Sequence, residues 1–147
     1  MILLIKWLNA FVSEKIAFHA YLSLDLHGTT DGQKIFFDQV DTNLGGGYNG
    51  TTGVFTAPVA GAYVFSLTFY MWYSSSYASA GQLSIMQNNV QSIRVLVELD
   101  SNADDGTASG TTVLSLNKGD QVHVQASSAN MFIRGNKFSF LSGFLLG

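Results

Sequence analysis

Apolar side chains fall at every second position over long stretches of this 147-residue chain, and that spacing decides what it can fold into. Tyr63, Phe65, Leu67, Phe69 and Met71 alternate with Val64, Ser66, Thr68 and Tyr70. A period of two gathers one set on a single face of a β-strand, whereas a helix would scatter it around the axis. Ile16, Phe18, Ala20 and Leu22 repeat the pattern, as do Ile93, Val95, Val97 and Leu99, then Thr112, Leu114 and Leu116, then Val122, Val124 and Ala126, and finally Phe138, Phe140 and Phe144. Segments rich in Gly, Asn and Asp separate them at 27–32, 44–50, 100–110 and 117–120, which predicts turns there. Pro58 falls between strands, where its missing N–H costs nothing. Eight to ten short strands with such punctuation predict an all-β sandwich or jelly roll.

Charge narrows the partners. Charged residues are 12% of the chain, about half the roughly 25% of an ordinary soluble protein, while hydrophobic residues reach 47%. Polar cover must come from Ser, Thr, Asn, Gln and Gly, so part of the surface is expected to be buried in an oligomer. A net charge of −3 with 7 scattered Lys and Arg lacks the basic stripe that a phosphate backbone requires, which argues against nucleic acid. Without cysteine there is no disulfide and no thiolate site. Residues 1–15 form an apolar segment too short to span a bilayer and poorly shaped for a signal peptide. Lys6, Asn9 and Ser13 would share one stripe of a short N-terminal helix otherwise covered by Leu3, Leu4, Trp7, Leu8, Phe11 and Val12, a helix suited to packing on its own domain or on its copies. The globular domain is expected over 16–147.

Within 37–67 the spacing becomes specific: Phe37, Asn43, Tyr48, Phe55, Gly61, Tyr63, Phe65 and Leu67. This resembles the signature of the globular C1q domain, departing from it only at Leu67, where the family usually carries Phe or Tyr. AFHA at 17–20 resembles the family's first strand, LNKGDQV at 116–122 its L-x-x-G-D-x-V turn, and FSFLSGFLL at 138–146 its closing strand. The resemblance implies a ten-strand jelly roll of the tumour necrosis factor type that assembles as a homotrimer and recognises ligands through exposed loops. In such a sandwich Ile16, Phe18 and Leu22 face the core, and His19 and Tyr21 leave through the other face toward a trimer interface.

Two segments are candidate sites. The loop from Glu98 to Asp105 crowds oxygen ligands, with Asp100, Asn102, Asp104 and Asp105 within six residues, and calcium is the ion that such flexible oxygen sets hold. The resemblance points the same way, because several family members bind calcium through acidic residues in this loop. The competing reading is a solvated turn, since turns use the same residues. The second segment, MWYSSSYASAG at 71–81, offers Trp72, Tyr73 and Tyr77 among serines, a composition suited to sugars: rings against C–H faces, polar neighbours on hydroxyls. Its competing reading is a Trp72 packed on a neighbouring strand.

Enzyme motifs fail on context. Gly45, Gly47 and Gly50 satisfy G-x-G-x-x-G, yet Phe55 and Pro58 follow where a helix should. No nucleophile elbow exists, and His19, His27 and His123 lack zinc-ligand spacing; His123 alternates with the apolar set and is expected at the surface or in an interface. Arg94 and Glu98 read as a surface pair, and Asn49-Gly50-Thr51 is a glycosylation sequon. The expectation is a secreted, non-catalytic trimer that recognises microbial glycans or lipopolysaccharide, with a receptor-binding ligand or scaffold as the alternative. No cofactor is required beyond the candidate calcium.

Overall fold

The computed structural model describes residues 14–100 and 104–147. The alternating segments form thirteen strands among these residues: β1 (Ala17–Tyr21), β2 (Leu26–His27), β3 (Lys34–Ile35), β4 (Gln39–Leu44), β5 (Tyr48–Asn49), β6 (Val54–Thr56), β7 (Gly61–Met71), β8 (Ala80–Gln87), β9 (Val90–Glu98), β10 (Gly106–Leu116), β11 (Gln121–Ala126), β12 (Phe132–Ile133) and β13 (Phe140–Leu145). Four of them, β2, β3, β5 and β12, are only two residues long, so the ten-strand scheme appears as longer strands plus short ladders that close the loops. One sheet has the order β2-β12-β7-β13-β1-β4, with β10 on the other edge of β7; the second has the order β5-β6-β11-β8-β9, with β3 on β11. Every pairing is antiparallel, and the fold is a two-sheet jelly roll. The helix expected over residues 1–15 falls on a segment lying, except for its last two residues, outside the described part.

Between the sheets sits an aromatic plug. Phe18 stacks on Tyr48 at 4.6 Å between ring centroids and on Phe55 at 5.3 Å, while Phe65 meets Phe55 edge-on at 5.4 Å. Such contacts add about 0.5–1.5 kcal/mol per pair beyond area burial. Gly143 on β13 makes room for it, because a Cβ there would stand 2.6 Å from Phe18 and 2.8 Å from Phe65. Two tyrosines enter the core only because their hydroxyls find acceptors: Tyr48 donates to the Phe37 carbonyl at 3.0 Å and Tyr63 to the Val59 carbonyl at 2.7 Å. Burial is the main reason the Tyr48 phenol ionises far above the ordinary range. Asn43 pins the turn that delivers Tyr48, its amide donating to the Tyr48 carbonyl at 2.8 Å and its oxygen accepting the Tyr48 N–H at 3.2 Å.

Three sequence expectations change. β10 starts at Gly106, inside the segment read as a turn, and pairs with β7 from Gly106↔Met71 to Leu116↔Gly61. Its inward residues there are Gly106, Ala108 and Gly110, small because β9 crosses closely: a Cβ on Gly110 would stand 2.5 Å from Val95. On β13 the face is the reverse of the one that Phe138, Phe140 and Phe144 suggested. Ser139, Leu141 and Gly143 are buried, whereas Phe138 and Phe144 are 40% and 45% exposed. His123 is not a surface residue but 5% exposed, on the outer face of β11 between β6 and β8, with its Nε2 3.3 Å from the Gln125 side-chain oxygen.

Phe18→Ala opens the plug, and the expected loss is about 3–5 kcal/mol in urea unfolding at fixed protein concentration. His123 gives a pH signature. Burial is the first cause holding its pKa below the usual histidine value, with the Lys34 charge adding to this and the Gln125 contact opposing it. The unfolded chain therefore takes up a proton that the folded chain resists, so this contribution is complete above pH ~6.5 and is lost as pH falls through the lower folded value. Unfolding midpoints from pH 7.5 to pH 5 should drop less in His123→Gln than in the parent.

Candidate functional site

The aromatic ledge lies where β7 ends and β10 begins. Because Met71 and Ile133 point into the core, their neighbours Tyr70 and Trp72 on one side, and Phe132 and Arg134 on the other, turn to the outer face of the seven-stranded sheet. His27 stands opposite Phe132 in register. The rings form a continuous series: Trp72 stacks on Phe132 at 5.5 Å, Tyr77 lies 5.0 Å from Phe132, and His27 is 4.5 Å from Phe132 and 6.5 Å from Tyr77. The Arg134 guanidinium lies 4.0 Å from the Phe138 ring centroid, 4.5 Å from Trp72 and 5.5 Å from Tyr70.

Backbone hydrogen bonds hold this ledge. Trp72 N–H donates to the Phe132 carbonyl at 2.9 Å, Ala78 N–H to the Asn130 carbonyl at 2.8 Å, and Gly28 N–H to the Met131 carbonyl at 3.0 Å, so the loop after β7, the segment before β12 and the end of β2 act as one unit. Met131 is fully buried beneath, against Gly81, where a Cβ would clash with its side chain. Rings on segments tied down by such bonds, Tyr77 in the loop after β7 included, are pre-positioned, which lowers the ordering cost of binding.

Of the residues expected at a site, Trp72 and Tyr77 are brought together through Phe132. Tyr73 joins by its backbone: its N–H donates to Asp105 Oδ1 at 2.8 Å, and the other oxygen of Asp105 accepts the Tyr70 hydroxyl at 2.8 Å. Asp105, directly before β10, is thus a latch between the start of that strand and the aromatic ledge. Asp104 is exposed, Asp100 is engaged, and Asn102 lies outside the described residues. Among the described residues no group of three or more His, Asp or Glu side chains gathers around a common point where a metal could sit. The residues that sequence reasoning missed are Phe132, Arg134 and His27 as ring partners. Their one signal is local: Phe132 and Arg134 flank an apolar Ile133, the period of an outward-facing pair.

His19 and Tyr21 lie on the outer face of the same sheet. His19 Nδ1 is 2.7 Å from the Ser142 hydroxyl and its ring 5.6 Å from Phe140, while the Lys137 ammonium sits 5.3 Å from the Tyr21 ring centroid. The strands β1, β13, β7 and β10, which lie side by side from the middle of this sheet to its β10 edge, contain no Asp, Glu, Lys or Arg. Hydroxyl pairs cross it, Ser66 with Thr111 at 2.9 Å and Thr68 with Ser109 at 2.7 Å, and Val113, Phe144 and Leu44 stand out from it at 61%, 45% and 51% exposure.

A two-sheet antiparallel sandwich of this strand order is a tumour necrosis factor-like jelly roll. Within it the chain belongs to the C1q domain family, whose model matches residues 17–146. It is similar to mouse Complement C1q tumor necrosis factor-related protein 3, 31% identical over 133 residues that cover 90% of this chain and 51% of that protein. Zebrafish Caprin-2 is 32% identical over 132 residues, 90% of this chain and 14% of Caprin-2. The chain thus spans about half the length of the first relative and a small part of the second. Among solved structures, the globular domain of zebrafish Complement 1qA protein matches with a TM-score of 0.73 at 20% identity, covering 90% of this chain and 98% of that one. Eiger TNF from S. frugiperda matches with a TM-score of 0.74 at 12% identity, covering 92% and 94%. Among the described residues no helix is long and apolar enough to cross a membrane.

The Asp105 latch also tunes Tyr70, whose phenol ionises above its ordinary value chiefly because Asp105 accepts its proton, with burial and the carboxylate charge adding to this and Arg134 opposing it. In Asp105→Ala the Tyr70 phenol should titrate at lower pH than in the parent, read by ultraviolet absorbance against Tyr70→Phe as the blank.

Proposed function

We propose that this protein is a secreted, non-catalytic homotrimer that recognises saccharide chains of microbial surfaces, polysaccharide or lipopolysaccharide, through the aromatic ledge at Trp72, Tyr77 and Phe132. The observation that carries the reading is the ring series itself: four half-exposed or exposed rings, His27 included, held within 6.5 Å steps by backbone ladders. Sugar C–H faces pack on such rings, and the Ser74, Ser75 and Ser76 hydroxyls beside them suit sugar hydroxyls. Tyr73 borders the ledge and would contact a longer chain. The charge-free strands β1, β13, β7 and β10 support the trimer, with His19 and Tyr21 inside the contact, because apolar and hydroxyl surface can be buried without stranding a charge. Three ledges on one particle would raise a weak single-site affinity by about 10² to 10⁴ on a repetitive surface. An exposed sequon asparagine, Asn49, fits an extracellular chain.

The test is a binding screen against immobilised glycans, lipopolysaccharide and peptidoglycan, in calcium and in chelator. Trp72→Ala and Tyr77→Ala should each reduce saccharide binding about tenfold or more, with the fold retained by circular dichroism. A loss in chelator would bring Asp100, Asn102 and Asp104 into the site as calcium ligands. Binding to no saccharide, with capture by a cell-surface receptor, would replace this reading by a signalling one. For the assembly, Val113→Asp should reduce the mass by light scattering from about three times the 15.9 kDa chain to a single chain.

A further inference from the structure

The rings of the ledge account for a neutral sugar, but they do not account for Arg134. Its guanidinium lies within 5.5 Å of three ring centroids, at Phe138, Trp72 and Tyr70. The backbone around it is fixed at both atoms: Arg134 N–H donates to the Tyr70 carbonyl at 2.9 Å, and its carbonyl accepts the hydroxyl of the fully buried Ser139 at 2.7 Å. Two carboxylates of the neighbourhood take other donors. Asp105 takes the Tyr70 hydroxyl and the Tyr73 N–H, both at 2.8 Å, and Asp25 takes the Gly135 N–H at 2.7 Å. The Arg134 side chain also hydrogen-bonds the Tyr70 phenol, and its other N–H donors are the ones that a planar anion could take as a two-point contact.

We infer that Arg134 makes the ledge selective for acidic saccharides, its guanidinium pairing with a carboxylate or phosphate group of a sugar whose ring lies on Trp72 and Phe132. The inference rests on the saccharide reading above and adds the ligand's charge to it. Trp72 serves both parts, since one indole meets Phe132 at 5.5 Å and the guanidinium at 4.5 Å, so a sugar stacked on these rings carries its substituent to the cation. Lysine would not replace Arg134 here, because a compact ammonium makes no planar two-point contact and stacks less well on rings.

Two matched pairs of ligands test this: oligogalacturonate against its methyl ester, and phosphomannan against dephosphorylated mannan, each by calorimetry on the whole chain. The parent should bind at least one acidic partner about tenfold or more tighter than its neutral twin, the advantage shrinking with salt. Arg134→Gln should bring acidic and neutral affinities together while leaving neutral binding within about twofold, and Arg134→Lys should recover only part of the preference. A carboxylate-only or phosphate-only preference identifies which anion the fork takes. Equal affinity for charged and neutral twins in the parent, or an unchanged preference in Arg134→Gln, overturns the inference while leaving the saccharide reading intact; absence of all four interactions overturns both. Light scattering of Arg134→Gln provides the remaining check: loss of the trimer would make Arg134 an interface residue and overturn its ligand role.

Discussion

The stacking of Phe18 on Tyr48 and Phe55 is the contact on which the rest of the molecule depends. It joins strands from both sheets, and it is possible only because Gly143 withholds a side chain from the space that Phe18 fills. Once β1 is held in this way, its other face has a fixed direction, and His19 and Tyr21 must leave through the outside of the seven-stranded sheet. The strands beside it in that sheet inherit the same two-sided division. One alternation therefore separates the buried aromatic rings on one side of these strands from the outward Ser, Thr, His and Tyr side chains on the other.

That alternation reaches the ledge as well. Met71 and Ile133 are fully buried at the end of the sheet, so the residues on either side of each turn outward together and meet across the β7–β12 pairing. Stability and recognition are linked at this point by Asp105, which ties the Tyr70 hydroxyl to the Tyr73 backbone and thereby joins the start of β10 to the ledge.

The architecture was legible because strand alternation survives in the choice of side chain: large apolar residues at 63, 65, 67, 69 and 71 have one burial solution. Legibility failed where composition and role diverged. The small inward residues of β10 resemble a turn because β9 passes too close for anything larger, a constraint invisible along one strand. On β13, three phenylalanines drew the apolar face outward, while the core took Ser139, Leu141 and Gly143, since the space under β13 was already filled by Phe18 and Phe65. His123 read as a surface or interface residue by its alternation with Val122 and Val124, and it does occupy the outer face of its sheet, where it is already buried within the single chain.

What the sequence determined by itself was the class of fold and the family, because these follow from period, turn residues and an aromatic signature that are all local. It also named Trp72 and Tyr77, but as neighbours in one segment. Their union with Phe132, His27 and Arg134 was decided only in three dimensions. Residues 27, 72 and 132 are far apart along the chain and become adjacent through the β2–β12 ladder and the β12–β7 pairing. Such long-range registers are set by how whole sheet faces bury their side chains, a sum over many strands that no single segment contains.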